Sequence, residues 1–242
     1  MHNTIGIVGG MGPMATCDLF RKIVEIEDSA TDQDHVRVCI DSNTEIPDRT
    51  AAILHGGKDP VDQMVRSAIR LQSMGAQVLI MPCNTAHYFY DQVTRFEDVP
   101  FLNMLEETAR AAYRQGFRKV GILATDGTIQ SGVYARAFAG QGVETVCPTG
   151  DHQKAVMELI YDGVKAGKAD LDTTGFLAAV EELRTQGAET MILGCTELPL
   201  AYDMYHLDFP HLDPTLIVAA RAVEFVGGRI RDEYREACGC VG

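Results

Sequence analysis

The chain has 242 residues, 46% of them hydrophobic, which is enough to build one large α/β domain or two half-size ones. Its formal charge of −13 argues against a nucleic-acid partner. No stretch approaches the run of about 18 apolar residues that a membrane-spanning helix needs. Met1-His2-Asn3-Thr4 lacks a basic region ahead of its short apolar run. It reads as the lead into a first strand, and the chain is expected to be cytoplasmic with reduced thiols.

Strands and helices alternate along the chain. Strands are predicted at 4–9, 36–41, 77–82, 100–103, 119–124, 143–147, 189–194 and near 209–212. Helices are predicted at 13–28, 60–74, 105–115, 130–140, 151–166, 173–186 and 214–234. The strands are near-continuous apolar runs such as Val78-Leu79-Ile80-Met81, as expected where both faces of a parallel sheet are covered. The predicted class is therefore α/β, with mostly parallel sheets flanked by helices. Of the seven cysteines, Cys17, Cys39 and Cys147 fall in periodic segments and are expected to be small buried hydrophobes. Cys238 and Cys240 sit in a Cys-Gly-Cys tail, expected to fray and, with two thiols only, to hold no metal.

Two segments repeat. Gly75-Ala76-Gln77-Val78-Leu79-Ile80-Met81-Pro82-Cys83 is echoed by Gly187-Ala188-Glu189-Thr190-Met191-Ile192-Leu193-Gly194-Cys195, roughly 112 residues on. Ile5-Gly6-Ile7-Val8-Gly9-Gly10-Met11-Gly12 is echoed at nearly the same distance by Val120-Gly121-Ile122-Leu123-Ala124-Thr125-Asp126-Gly127. Two pseudo-symmetric lobes follow, one of residues 1–100 plus 213–242 and the other of 101–212. The site belongs in the cleft between them, beyond the carboxyl ends of the strands, where loops 9–13, 83–87, 124–128 and 195–199 lie.

Each lobe offers one thiol at a matched strand end. A lone cysteine there is usually a structural filler, but fillers need not coincide at equivalent loop positions. Paired thiols suit a reaction in which one face of a carbon loses a proton and the opposite face gains one. One sulfur then begins as thiolate and the other as thiol, and their titration belongs to the pair.

The turn Gly10-Met11-Gly12-Pro13-Met14-Ala15 offers a rival, since it satisfies the dinucleotide fingerprint G-x-G-x-x-A. Asp41, closing the second strand, lies 29 residues beyond Gly12, later than the roughly 20 expected of the acidic partner, and Pro13 removes a phosphate-binding N–H. The turn reads better as backbone passing close to a small ligand, with Met11 as a lid side chain. An anionic ligand also needs local cations in so acidic a chain. Arg49, in the loop after the second strand, and Lys165, near a helix end, sit at the repeat distance and suit a carboxylate. Taken singly, each reads more readily as a solvated surface cation, and Asp48 equally as the local ion-pair partner of Arg49. His87 and Glu197 lie close behind the thiols and read as supporting groups.

Together these segments resemble the aspartate racemase branch of the aspartate/glutamate racemase superfamily, which uses no pyridoxal phosphate. The resemblance rests on Gly9-Gly10-Met11-Gly12-Pro13, Ile46-Pro47-Asp48-Arg49-Thr50, Met81-Pro82-Cys83-Asn84-Thr85-Ala86-His87, Leu123-Ala124-Thr125-Asp126-Gly127-Thr128 and Gly194-Cys195-Thr196-Glu197-Leu198-Pro199. It implies a homodimer of two-lobed chains, an acidic amino acid as substrate, no cofactor and no metal. It also implies Cys83 and Cys195 as the two bases, and Arg49 and Lys165 on the substrate carboxylates. Met11, Gly12, Asn84, Thr85, Thr125, Gly127, Thr128 and Thr196 would line the rest of the site. Glu197 stands where glutamate racemases typically carry histidine, which favours aspartate, with glutamate next. The chain departs from the family at Ser42-Asn43-Thr44, where a proline is common at the third position. The alternatives are a broad-specificity or hydantoin racemase, a maleate isomerase, or an amino-acid-binding protein without catalysis.

Overall fold

In the computed structural model, which describes residues 3–96 and 98–239, β1 (Thr4–Gly9) lies between β2 (Arg37–Ser42) and β3 (Val78–Ile80). All three run parallel, with Ile5 opposite Val38 and Val78. The second sheet takes the order β5 (Glu144–Val146), β4 (Lys119–Leu123), β6 (Thr190–Leu193) and β7 (His211–Leu212), again parallel. The two repeated segments are thus the central pairs, β1 with β3 and β4 with β6. Each pair delivers its loops to the carboxyl end of its sheet.

Alternation along the strands explains their apolar runs. Ile5, Ile7, Val78 and Ile80 face α1 (Pro13–Ile26) through Leu19 and Ile23. Val8, Leu79 and Met81 face the Met64, Ala68 and Leu71 stripe of α3 (Val61–Ser73). In the second sheet, Leu123, Met191 and Leu193 face Phe176, Val180 and Leu183 of α9 (Thr174–Thr185). The first of these clusters does not stop at one lobe. It runs through Met104, Leu105 and Ala109 of α5 (Met104–Arg114) to Val120, Ile122 and Ile192. One continuous core therefore sits under both thiol loops.

The helix α11 (Pro214–Phe225) packs on α1, α5 and β3. Its cap Asp213 accepts from Thr215 N–H and also pairs with the buried ammonium of Lys22 at 2.6 Å. Asp18 holds the same ammonium at 2.6 Å. Burial alone would lower the Lys22 pKa, but the two carboxylates outweigh it and hold the group charged.

Several expectations need correction. Segment 100–103 forms only a single bridge, Phe101 to Leu79, because Pro100 offers no N–H for a longer ladder. The expected helix 130–140 is two helices, α6 (Asp126–Ser131) and α7 (Val133–Ala139), broken at left-handed Gly132. The expected helix 151–166 is α8 (Gly150–Glu158) followed by a π-helical segment, Leu159–Lys165. The expected helix 214–234 stops at Phe225, before Gly227-Gly228, and α12 (Asp232–Arg235) follows. Arg49 does not sit in an open loop but begins a short helix, α2 (Arg49–Leu54). Cys17 is exposed on the outer face of α1, contrary to expectation, whereas Cys39 is buried. The tail is not frayed as far as Gly239. Cys238 is buried, and Gln115 and Arg114 bond to the carbonyls of Glu236 and Gly239. Cys240 lies outside the described residues.

Candidate active site

Both predicted thiols line one cavity. Its walls come from the loop after β1, α2, the loops after β3 and β4, the π-helical segment and the loop after β6. Cys83 and Cys195 are both on it, each about one-twentieth exposed. So are Met11, Arg49, Asn84, Thr85, Thr125, Lys165 and Thr196. The free space between these walls is about 20 Å³, room for roughly one water molecule. A bound amino acid must therefore displace contacts that the side chains now make with one another.

On the second-lobe wall those contacts centre on Glu197, the first residue of α10 (Glu197–Met204). Its Oε2 accepts from the Cys195 thiol at 2.9 Å and from the Thr196 hydroxyl at 3.2 Å. Its Oε1 stands 3.8 Å from Lys165 Nζ. Burial and then the Glu197 charge push the Cys195 thiol well above its usual pKa, against the opposing pull of Lys165. Cys195 is therefore protonated in this arrangement. Burial alone would lower the Lys165 pKa, but the Glu197 charge, with the other groups facing the ammonium, outweighs it and keeps it charged.

On the first-lobe wall the group is Arg49. Its Nη1 donates to Pro47 O at 2.9 Å and its Nη2 to Met11 O at 3.0 Å, which ties the loop after β1 to the start of α2. Its Nε is buried without a partner among the described residues. Burial opposes its charge, but the groups around it, Cys83 first and then Asp48 and Tyr161, together more than compensate. Asp48 is not the ion-pair partner of Arg49. Its carboxylate caps α2 instead, accepting from Ala51 N–H at 2.7 Å. The missing family proline at position 44 is replaced by an Asn43 clamp. Asn43 Oδ1 accepts from Glu45 N–H, and its Nδ2 donates to Ser67.

The remaining predicted residues divide by position. Thr85, Thr125 and Thr128 form a buried hydroxyl triangle with edges of 2.8 and 3.1 Å that joins the two lobes. Thr128 closes that triangle from behind and does not line the cavity. Gly127, beside it on α6, packs on Thr50 of α2, where an added Cβ would lie 2.7 Å from the Thr50 hydroxyl. Gly12 lines an outer chamber that shares Arg49, Lys165 and Glu197 with the inner cavity. Gly10 explains the glycine-rich turn without any phosphate. Its φ is +89°, and a Cβ there would meet the backbone of Asn43 at 2.4 Å.

His87 supports the backbone and does not touch the thiol. Its Nδ1 donates to Cys83 O at 2.8 Å, and its Nε2 accepts from Met104 N–H at 3.1 Å. Burial lowers its pKa to about 4, so the ring is neutral.

Three cavity residues were not among the predicted site residues: Asp48, Thr50 and Tyr161. Tyr161 lies in the π-helical segment with Lys165 Nζ 4.3 Å from its ring centroid, a cation–π contact. Its place four residues before Lys165, on the same helical face, was the available signal. The hydrogen-bonding pattern of that segment brings both residues to the cavity, as π-turns at functional sites often do.

Comparison with known proteins follows the same lines. Residues 8–222 match the Asp/Glu/hydantoin racemase family. The chain belongs to that family. It is similar to an aspartate racemase of Picrophilus torridus, at 31% identity and a TM-score of 0.86, over 98% of this chain and 99% of that one. It is 28% identical to the broad specificity amino-acid racemase RacX of Bacillus subtilis, over 90% of this chain and 96% of RacX. A glutamate racemase of Corynebacterium kroppenstedtii is 32% identical, but over only 60% of this chain and 51% of its own length. The chain is thus an amino-acid racemase by family, on the two-lobed fold of its relatives. Among the described residues no helix is long and apolar enough to cross a membrane.

Proposed function

We propose that this chain interconverts L- and D-aspartate, with glutamate as the nearest alternative, by a two-cysteine mechanism that needs no cofactor. One observation carries the reading: two thiols from equivalent loops of the two lobes wall a single cavity that also holds Arg49 and Lys165. In the proposed reaction a thiolate removes the α-proton, and the C–H electron pair delocalises into the carboxylate. The opposite thiol then gives its proton to the other face of Cα, leaving the two sulfurs with exchanged states. Arg49 and Lys165 neutralise the substrate's carboxylates, which matters most for the doubly charged intermediate. The overall likeness to the Picrophilus torridus aspartate racemase supports aspartate.

A broader substrate range has its own support. The outer chamber is lined by Pro13, Met14, Val164, Leu200 and Met204 and adjoins the inner cavity at Arg49, Lys165 and Glu197. Longer, apolar side chains would find room there. Incubation of dialysed protein with L-Asp, L-Glu and neutral amino acids in heavy water decides between the readings. Deuterium at Cα with loss of optical rotation for aspartate is the expected result. Turnover of neutral amino acids but not aspartate replaces it with the broad-range reading, and no exchange from any of them removes both. A homodimer is proposed as well, and sedimentation at the monomer mass of 26.4 kDa would remove it.

A further inference from the structure

Tyr134 lies on α7, in the second lobe, and is 3% exposed. Its ring lies against Gly194, where an added Cβ would sit 3.1 Å from Tyr134 Cε2. Its hydroxyl crosses to the first lobe and donates to Asn84 Oδ1 at 2.5 Å. Gly194 precedes Cys195 and Asn84 follows Cys83, so one buried side chain touches both thiol loops.

The bond also sets which way the Asn84 amide faces. Asn84 is 2% exposed and lines the cavity, and its Nδ2 has no partner among the described residues. With the amide turned over, the tyrosine proton and the amide oxygen would both be left unpaired in buried space. In the observed orientation a single group is left unpaired, a two-proton donor on the wall of a site for an anion. We propose that Tyr134 is a positioning residue that locks the Asn84 amide with Nδ2 toward a substrate carboxylate. This rests on the racemase reading above. Burial first, and then the charge of Asp213, pushes the phenol well above its usual pKa, so it stays a donor at working pH.

The test uses the full chain with aspartate, in steady-state kinetics and calorimetric titration, on wild type, Tyr134→Phe, Asn84→Ala and the double variant. Tyr134→Phe should raise KM and Kd about tenfold, the scale of one hydrogen bond to a charged group. It should leave kcat within about threefold, and the pH profile of kcat unmoved, because the thiols are untouched. In the Asn84→Ala background the same substitution should add less than about twofold, since the residue acts through the amide. An unchanged KM, or an equal loss in both backgrounds, overturns the proposal. So does a shifted pH profile at constant KM, which would put the phenol on the thiols. Should Tyr134→Phe fail to fold, Asn84→Asp replaces the donor by an acceptor that Tyr134 still holds. It must bind aspartate more weakly than Asn84→Ala, and equal or tighter binding overturns the proposal. A wild type that neither binds nor exchanges aspartate sinks the racemase reading and this proposal with it. An active wild type with an indifferent Tyr134→Phe sinks this proposal alone.

Discussion

Cys195 donates its thiol hydrogen to Glu197 Oε2 over 2.9 Å, two residues along the same loop. The carboxylate therefore stores the proton on sulfur, while Lys165, 3.8 Å from its other oxygen, pulls the opposite way. Replacing Glu197 by Gln removes the charge that raises the thiol and leaves Lys165 unopposed. The Cys195 pKa should fall, and its alkylation by iodoacetamide, followed on the Cys195 peptide, should move to lower pH. About one pH unit corresponds to roughly tenfold faster alkylation at pH 8. A curve that does not move shows that burial alone holds the proton.

Cys83 and Cys195 serve opposite faces in the proposed chemistry, so neither can replace the other. Cys83→Ala and Cys195→Ala should each lower racemisation by about 10²–10⁴-fold, the usual scale for one positioned acid or base. In heavy water each variant should exchange the α-hydrogen of one enantiomer at most, and the two variants should prefer opposite enantiomers. Near wild-type racemisation by either variant ends the two-base scheme.

Arg49 is the cation of the first-lobe wall, and its Nε is the donor left over after Met11 and Pro47 are served. Arg49→Ala should raise KM for both enantiomers by about 10–100-fold, as expected for lost charged hydrogen bonds. Arg49→Lys should recover only part of this, because an ammonium keeps the charge but not the fork. Saturation behaviour unchanged from wild type removes Arg49 from the carboxylate site.

The central strands and both thiol loops were legible because repetition and apolar runs are properties of the chain itself. Cys83 and Cys195 could be paired from their offset alone, and the cavity that joins them agrees with it. The breaks were harder to read. Gly132 and the π-helical turn at Leu159–Lys165 interrupt segments whose hydrophobic periodicity continues through them. Tyr161 and Tyr134 were missed for a related reason: an aromatic at helical spacing looks like core, and only its hydroxyl or ring partner tells otherwise. Cys17 was misplaced because a small apolar residue carries too little periodic signal to fix its face. His87 was the ambiguous case. Its spacing from Cys83 suits a base, yet both ring nitrogens turn out to be taken by backbone.

That occupancy has a consequence for stability. His87 is fully buried and neutral, with its pKa lowered to about 4 by desolvation, against the unfolded value of 6.5. Between those two values the unfolded chain binds a proton that the folded one refuses, so folding weakens as the pH falls. The contribution is intact above pH 6.5 and declines toward pH 4. Over that range it amounts to about 3 kcal/mol at 1.36 kcal/mol per unit. Against a total stability of about 5–15 kcal/mol, that is a large share. His87→Asn keeps a donor near Cys83 O but has nothing that titrates. At pH 7 it should cost about 1–3 kcal/mol, because Met104 N–H loses its acceptor. In urea unfolding at pH 7, 5.5 and 4.5, the wild type should lose more stability than the variant at each step down. Parallel losses in the two proteins would show that acid sensitivity resides in other groups and that the buried imidazole is already protonated when folded.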